Sequence, residues 1–473
     1  MKIFGTTVIA FFFTTITLSC SKAETGADPH EDKMEFPQNE DGKYTVSPIF
    51  SDGMVLQRNS EVAIFGTAER GRAITVKGSW SDQEVTVFPY LDGKYIARIK
   101  TPDAGGPYTL SVNDSLYTDV MIGEVWMCSG QSNMHFTLAQ AWYNGVNGEN
   151  NPNVRVYRVP VANAAEPQQA IGDGSWLYGK TNDIGNKVTA VGYYFARILN
   201  KELNVPIGII ASTQGGTAVE EWMSLKTFET MPENIRSQFT PTDTKWPGCR
   251  YNAMICPLFP YTVAGTIWYQ GENNWNRSDG YRQLLPAMID EWRTGFENRD
   301  MPFYLVQLTS FSTKWMEMRE AQEEIADRTP YSGYVPTIDL GEQSNIHPRQ
   351  KRPIGERLAE IALAKHYQMD GFRSSGPRYS RMEKEGDRIR IYFDHIGEGL
   401  MLKSGDTPQY FEICGTDGIY HPANTLLENN TVVVWSELVP VPVDVRYFWV
   451  GFGTPNLFSQ DGWPVAQFRT SKQ

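Results

Sequence analysis

The sequence predicts an α/β core with a mainly parallel sheet, flanked by β-sandwich or jelly-roll modules, and three observations lead there. Residues 119–372 alternate apolar β runs with amphipathic helical stretches, the pattern of a parallel sheet covered by helices on both faces. Residues 44–118 and 373–473 instead carry short alternating β runs separated by turn residues. A chain of 473 residues also exceeds what one hydrophobic core comfortably serves.

Taken in order, residues 1–19 read as a targeting segment. Met1-Lys2 precedes an apolar stretch ending near Leu18, too short and too early for an ordinary membrane span. Leu18-Ser19-Cys20 resembles a bacterial lipoprotein cleavage site. That likeness implies export, a lipid anchor on Cys20 in the periplasm or at the cell surface, and a polar tether over residues 20–43. Within 44–118, β runs are expected at 61–65, 73–76, 84–88 and 95–99. In the core, β runs are expected at 303–307 and 335–339, and helices at 190–203, 281–292 and 355–366. The last module shows β runs at 388–393, 431–435 and 448–450. Residues 230–249 look like a long insertion of the kind that shapes specificity.

The chemistry concentrates where apolar runs break into small polar residues. The run ending at Met127 leads into Gly130-Gln131-Ser132-Asn133-Met134. The run from Ile207 leads to Gln214-Gly215-Gly216-Thr217, and that from Thr266 to Gln270-Gly271-Glu272-Asn273. Asn345-Ile346-His347-Pro348 comes much later. A serine hydroxyl becomes a nucleophile when an imidazole takes its proton, and backbone N–H groups of glycine turns with a side-chain amide can hold the developing oxyanion. Ser132 does not lie in a Gly-x-Ser-x-Gly elbow, because Met134 stands where the second glycine would be, so an ordinary α/β-hydrolase is disfavoured.

These four blocks resemble those of the SGNH hydrolases, in particular the sialate O-acetylesterase branch. Phe50-Ser51-Asp52-Gly53-Met54-Val55-Leu56-Gln57-Arg58, Gly105-Gly106-Pro107-Tyr108 and Arg319-Glu320-Ala321-Gln322 extend the likeness over most of residues 44–363. The resemblance implies a flavodoxin-like three-layer core. It also implies Ser132 as nucleophile, His347 as general base, and the N–H groups of Ser132 and Gly216 with the Asn273 amide as oxyanion donors. SGNH enzymes commonly place an aspartate two or three residues before the histidine, whereas Ser344 and Asn345 stand here. The orienting group is therefore left open among Glu272, Glu342 or Asp339, and a backbone carbonyl. Glu272 comes first because related carbohydrate esterases use a glutamate there. His135 lies nearer in sequence but leaves the nucleophile turn rather than following another strand end.

The reaction so implied is hydrolysis of O-acetyl esters on sialic acids, with acetylated xylan or another plant polysaccharide as the alternative substrate. Arg277 and Arg349 are candidate partners for a sugar carboxylate, and Trp142, Trp222 and Trp275 candidate pocket walls. A non-catalytic glycan-binding protein is the competing class, and the absence of an extended apolar lid weakens a lipase reading. A net charge of −12 argues against a broad nucleic-acid surface. His30, His135, His347, His366, His395 and His421 are too scattered for a zinc site, so neither metal nor cofactor is expected. Cys249 and Cys256 are close enough to close a small disulfide loop, with two free thiols equally compatible; Cys128 reads as a small buried residue.

Overall fold

The computed structural model describes residues 41–141, 151–178 and 184–471, all within one compact unit spanning 38–473. The expected targeting segment, Cys20 and Trp142 lie outside the described residues.

Alternation builds the first module. Lys94–Lys100 buries Tyr95, Ala97 and Ile99 on one face and pairs antiparallel with Glu61–Ala68, which in turn pairs with Tyr44–Val46. Ile74–Gly78 pairs antiparallel with Glu84–Val87 and with Gly105–Val112. The next strand, β1 (Ser115–Gly130), changes character along its length. It alternates up to Asp119 and pairs antiparallel with Gly105–Val112; from Val120 onward every residue is buried and the later pairings are parallel. Continuous burial is what a strand covered on both faces requires.

The core sheet adds β2 (Val154–Arg158), β3 (Trp176–Tyr178), β4 (Ile207–Thr213), β5 (Gly265–Tyr269), β6 (Phe303–Val306) and β7 (Ser332–Val335), in the order β3-β2-β4-β1-β5-β6-β7. The pairings from β2 to β7 are parallel, and the edge pair β3–β2 is antiparallel. Because β1 also carries the N-terminal strands, the complete sheet has 11 strands and is mixed. β2 and β4 lie to one side of β1 and β5 to β7 to the other, so the order reverses at β1. A ligand crevice is expected beyond the carboxyl ends at such a reversal.

Helices cover both faces. Helix α1 (Ser132–His135) is a single turn; α2 (Ala190–Leu203) starts where the Thr189 hydroxyl accepts from Gly192 N–H and ends at left-handed Asn204. Then follow α3 (Ser278–Gly295), α4 (Met316–Arg328) and α5 (Arg352–Lys365). Trp126 of β1 meets Phe195 of α2 and His366 just past α5, while Trp268 of β5 meets Trp292 of α3. Trp268 is in register with Ser129, an odd step from Trp126, so the two tryptophans point to opposite faces.

The N-terminal module shares this core: Phe50 stacks on Tyr261 with ring centroids 5.4 Å apart and meets Phe65 edge-on, and Tyr261 donates to the Val55 carbonyl. The C-terminal module has its own core, to which two four-stranded antiparallel sheets contribute Ile389, Ile391, Val432, Phe411, Val445 and Tyr447 among others. Two expected strands are displaced. The run at 335–339 ends as strand at Val335, since Pro336 follows and has no N–H for the ladder. The run at 448–450 gives way to Asp444–Tyr447, with Phe448 at φ 54°, outside strand geometry. Cys128, Cys249, Cys256 and Cys414 are free thiols, so no loop-closing disulfide joins Cys249 to Cys256.

Candidate active site

The turn that carries Ser132 is built by close backbone approach. Gly130 has φ +135°, and a Cβ there would lie 2.2 Å from the Tyr269 carbonyl oxygen, so only glycine lets β1 end so tightly against β5. Gln131 N–H then donates to that carbonyl at 3.0 Å, and half-buried Ser132 opens α1. The second turn lies against the serine, since a Cβ on Gly215 would sit 3.3 Å from Ser132 Cβ. The Asn273 amide in the third turn donates to the Gly216 carbonyl at 3.4 Å and is exposed.

Two glutamines knit these turns together. Gln131 Oε1 accepts from Asn273 N–H and from Gln270 Nε2, both at 3.2 Å. Gln270 Nε2 also reaches the Thr217 carbonyl at 3.1 Å and Asn274 Oδ1 at 2.8 Å. From α4, Gln322 supports the third turn, donating to the Gln270 carbonyl at 2.9 Å. The fourth segment is attached by Asn133, whose Nδ2 donates to the Ile346 carbonyl at 3.1 Å. His347 is half-buried, its ring stacked on Phe136 with centroids 6.2 Å apart, and Asn345 brackets its backbone by bonding both its N–H and its carbonyl. Burial, then the Lys351 ammonium, holds the His347 pKa below its ordinary value, which favours the neutral imidazole.

None of the carboxylates considered for orienting His347 is hydrogen-bonded to its ring. Glu272 is buried; Oε1 accepts from Asn133 Nδ2 at 2.5 Å, and Oε2 has no hydrogen-bond partner. Burial raises the Glu272 pKa, opposed by the Asn133 hydrogen bond and by Lys351. Asp339 is held by Arg357 through two bonds of 2.9 and 2.7 Å. Glu342 accepts from Asn345 Nδ2 and from Arg349 N–H. His135 is committed elsewhere: Nδ1 bonds Thr213 and Nε2 faces Arg158 Nη2 at 2.7 Å.

Of the expected substrate contacts, Arg277 is tied to buried Glu220 at 2.6 Å and to the Gln238 carbonyl. Arg349 is exposed, and Trp275 is 41 % exposed. Trp222 is fully buried with its indole donating to Thr217 Oγ1, which makes it core rather than a pocket wall. Sequence reading did not single out Lys245, which the 230–249 insertion brings to within 2.5 Å of the Gly216 carbonyl, nor Lys351 behind Asn133. The supporting amides of Gln131, Asn133 and Gln270 stood inside the quoted blocks, where an amide beside a reactive residue was the available signal. The lysines offered none.

Three strand-end turns that bring together a serine, a glycine pair and an exposed amide beyond a sheet reversal, with a histidine loop held against the first of them, are an arrangement found in ester hydrolases. The comparisons narrow the class. Residues 122–364 match the family model described as carbohydrate esterase, sialic acid-specific acetylesterase. Sialate O-acetylesterase of Homo sapiens is 30 % identical over 72 % of this chain and 74 % of its own length, and that of Mus musculus 25 % identical over 84 % and 87 %. A crystal structure of a carbohydrate acetylesterase from Xanthomonas citri is 33 % identical, covers 91 % of this chain and all of its own, and superposes with a TM-score of 0.83. The chain belongs to the sialic acid-specific acetylesterase family of carbohydrate esterases.

Proposed function

We propose that this enzyme removes O-acetyl groups from sialic acids through an acetyl-serine intermediate. The observation that carries the reading is the convergence of Gly215 against Ser132, Asn273 against Gly216 and the His347 loop against Asn133. Ser132 Oγ attacks the acetyl carbonyl while His347 takes its proton. The N–H groups of Ser132 and Gly216 and the Asn273 amide receive the oxyanion, each such donor being worth roughly a hundredfold in rate. His347 returns the proton to the departing sugar oxygen, releasing the alcohol. It then activates the water that frees acetate and restores Ser132.

Arg349 and Trp275 are the accessible members of the proposed sugar site, and Lys245 adds a positive charge beside the Gly216 turn that suits an acidic sugar. The test is acetate release from O-acetylated sialoglycan and from acetylated xylan, with Ser132→Ala alongside. Serine-dependent release from the sialoglycan is expected. Release from xylan alone would replace the substrate, and no serine-dependent release from either would favour a glycan-binding role. Anchoring through Cys20 follows from Leu18-Ser19-Cys20; labelled palmitate should enter the protein and be lost in Cys20→Ala, while equal labelling of both would remove the anchor.

A further inference from the structure

Behind the nucleophile turn lies a buried polar cluster that the ester chemistry does not touch. Lys351, fully buried where α5 begins, donates through Nζ to Asn133 Oδ1 at 2.6 Å. Its ammonium lies over the rings of Phe136 at 5.1 Å and Tyr269 at 5.5 Å. The same Asn133 gives its Nδ2 to Glu272 Oε1 and to the Ile346 carbonyl. One amide thus joins the nucleophile turn, the third turn, the His347 loop and the start of α5. Removing one charge from a buried pair leaves the other uncompensated, which costs far more than breaking a surface pair.

Resting on the Ser132–His347 reading, we propose that Lys351 is a positioning residue: paired with Glu272 through Asn133, it fixes the His347 loop against the turn that carries Ser132 and places its charge behind that turn. Glu272 then acts on the base through Asn133 and Lys351, with no contact to the imidazole. The titratable groups facing Lys351 are Glu272, Glu342 and His347, with Tyr269 contributing its ring face. Burial pushes Lys351 down to about 7 against the opposing pull of Glu272 and Glu342. Loss of Glu272 would therefore discharge the lysine near neutral pH.

The experiment is the pH profile of kcat/KM on 4-nitrophenyl acetate, whose neutrality removes any sugar contact, for the wild type, Lys351→Met, Glu272→Gln and the double variant. Lys351→Met is expected to move the acid limb up by about one pH unit. Glu272→Gln, nearly isosteric and suited to fold where the lysine variant does not, should move it the same way. The double variant should exceed Lys351→Met in kcat, because it leaves no unpaired buried charge. A carboxylate acting directly on His347 makes the opposite prediction, a downward shift in Glu272→Gln. A downward or absent shift in that variant, or additive kcat losses with unmoved limbs, overturns the proposal. Activity surviving in Ser132→Ala would instead refute the Ser132–His347 reading itself.

Discussion

Asn273 is exposed where Glu272 and Asn274 on either side of it are buried, and its one side-chain bond, to the Gly216 carbonyl, is long at 3.4 Å. A donor so placed can turn to an oxyanion with little loss. Asn273→Ala is expected to lower kcat about a hundredfold with a small change in KM; a rise in KM alone, measured by steady-state kinetics, would make it a binding residue instead. Proton transfer sets a second expectation. In the proposed mechanism His347 is the base and must be neutral to accept a proton, and its pKa is held below the ordinary imidazole value. kcat/KM should therefore rise through that lowered value, placing the acid limb below that of an unperturbed histidine. A limb above it would mean that the charge environment described for Lys351 is absent. Ser132 and His347 could be proposed from sequence because their residue types stand in blocks with fixed order. Ser132 directly follows β1, whereas His347 lies in a loop well beyond the end of β7 at Val335 rather than at a strand end. Lys351 was not: a lysine four residues after a histidine and next to a helix start ordinarily reads as solvated, and only tertiary packing places it beneath Asn133.

Helix α5 carries Lys351 at its start, and its seating on α2 determines where that lysine points. A Cβ on Gly355 would come within 2.7 Å of both Tyr194 Cβ and the Val191 carbonyl. Alanine in a helix is normally better than glycine by about 1 kcal/mol, but here the contact is with a packed helix. Gly355→Ala is therefore expected to lose about 1–3 kcal/mol by denaturant unfolding, and a gain in stability would show that the two helices can part. Helix α2 was legible from its amphipathic pattern, with both ends where periodicity put them. Helix α4 was not identified as a helix, because it buries Arg319, Glu320, Gln322 and Glu323 along with its apolar residues, and polar side chains spoil the periodic signal. In β1 the change from alternating to continuous apolar pattern near residue 119 marks a change of burial within one strand.

Across the whole molecule, the C-terminal module is joined to the catalytic sheet by charges buried at α4. Arg319 is fully buried, donates to the Val450 carbonyl and lies over Phe448 at 5.5 Å. Arg378 pairs with Glu323 at 2.7 Å and also with Asp327. A chain ending at residue 372 would keep Arg319 and Glu323 and lose those partners. We expect it to unfold at lower temperature or lower denaturant than the full chain; an unchanged midpoint would make the module a separate attachment. The returning alternation of short β runs suggested this second β module but could not locate its contacts, which run between residues more than 50 positions apart in sequence.

In the proposed reaction the acetyl group passes through Ser132. The deciding measurement is peptide mass analysis of enzyme quenched in acid during turnover of O-acetylated sialic acid. One acetyl group on the peptide containing Ser132, absent in Ser132→Ala and absent without substrate, is the predicted result. Acetate release at full rate with that peptide unmodified, and activity retained in Ser132→Ala, would contradict it.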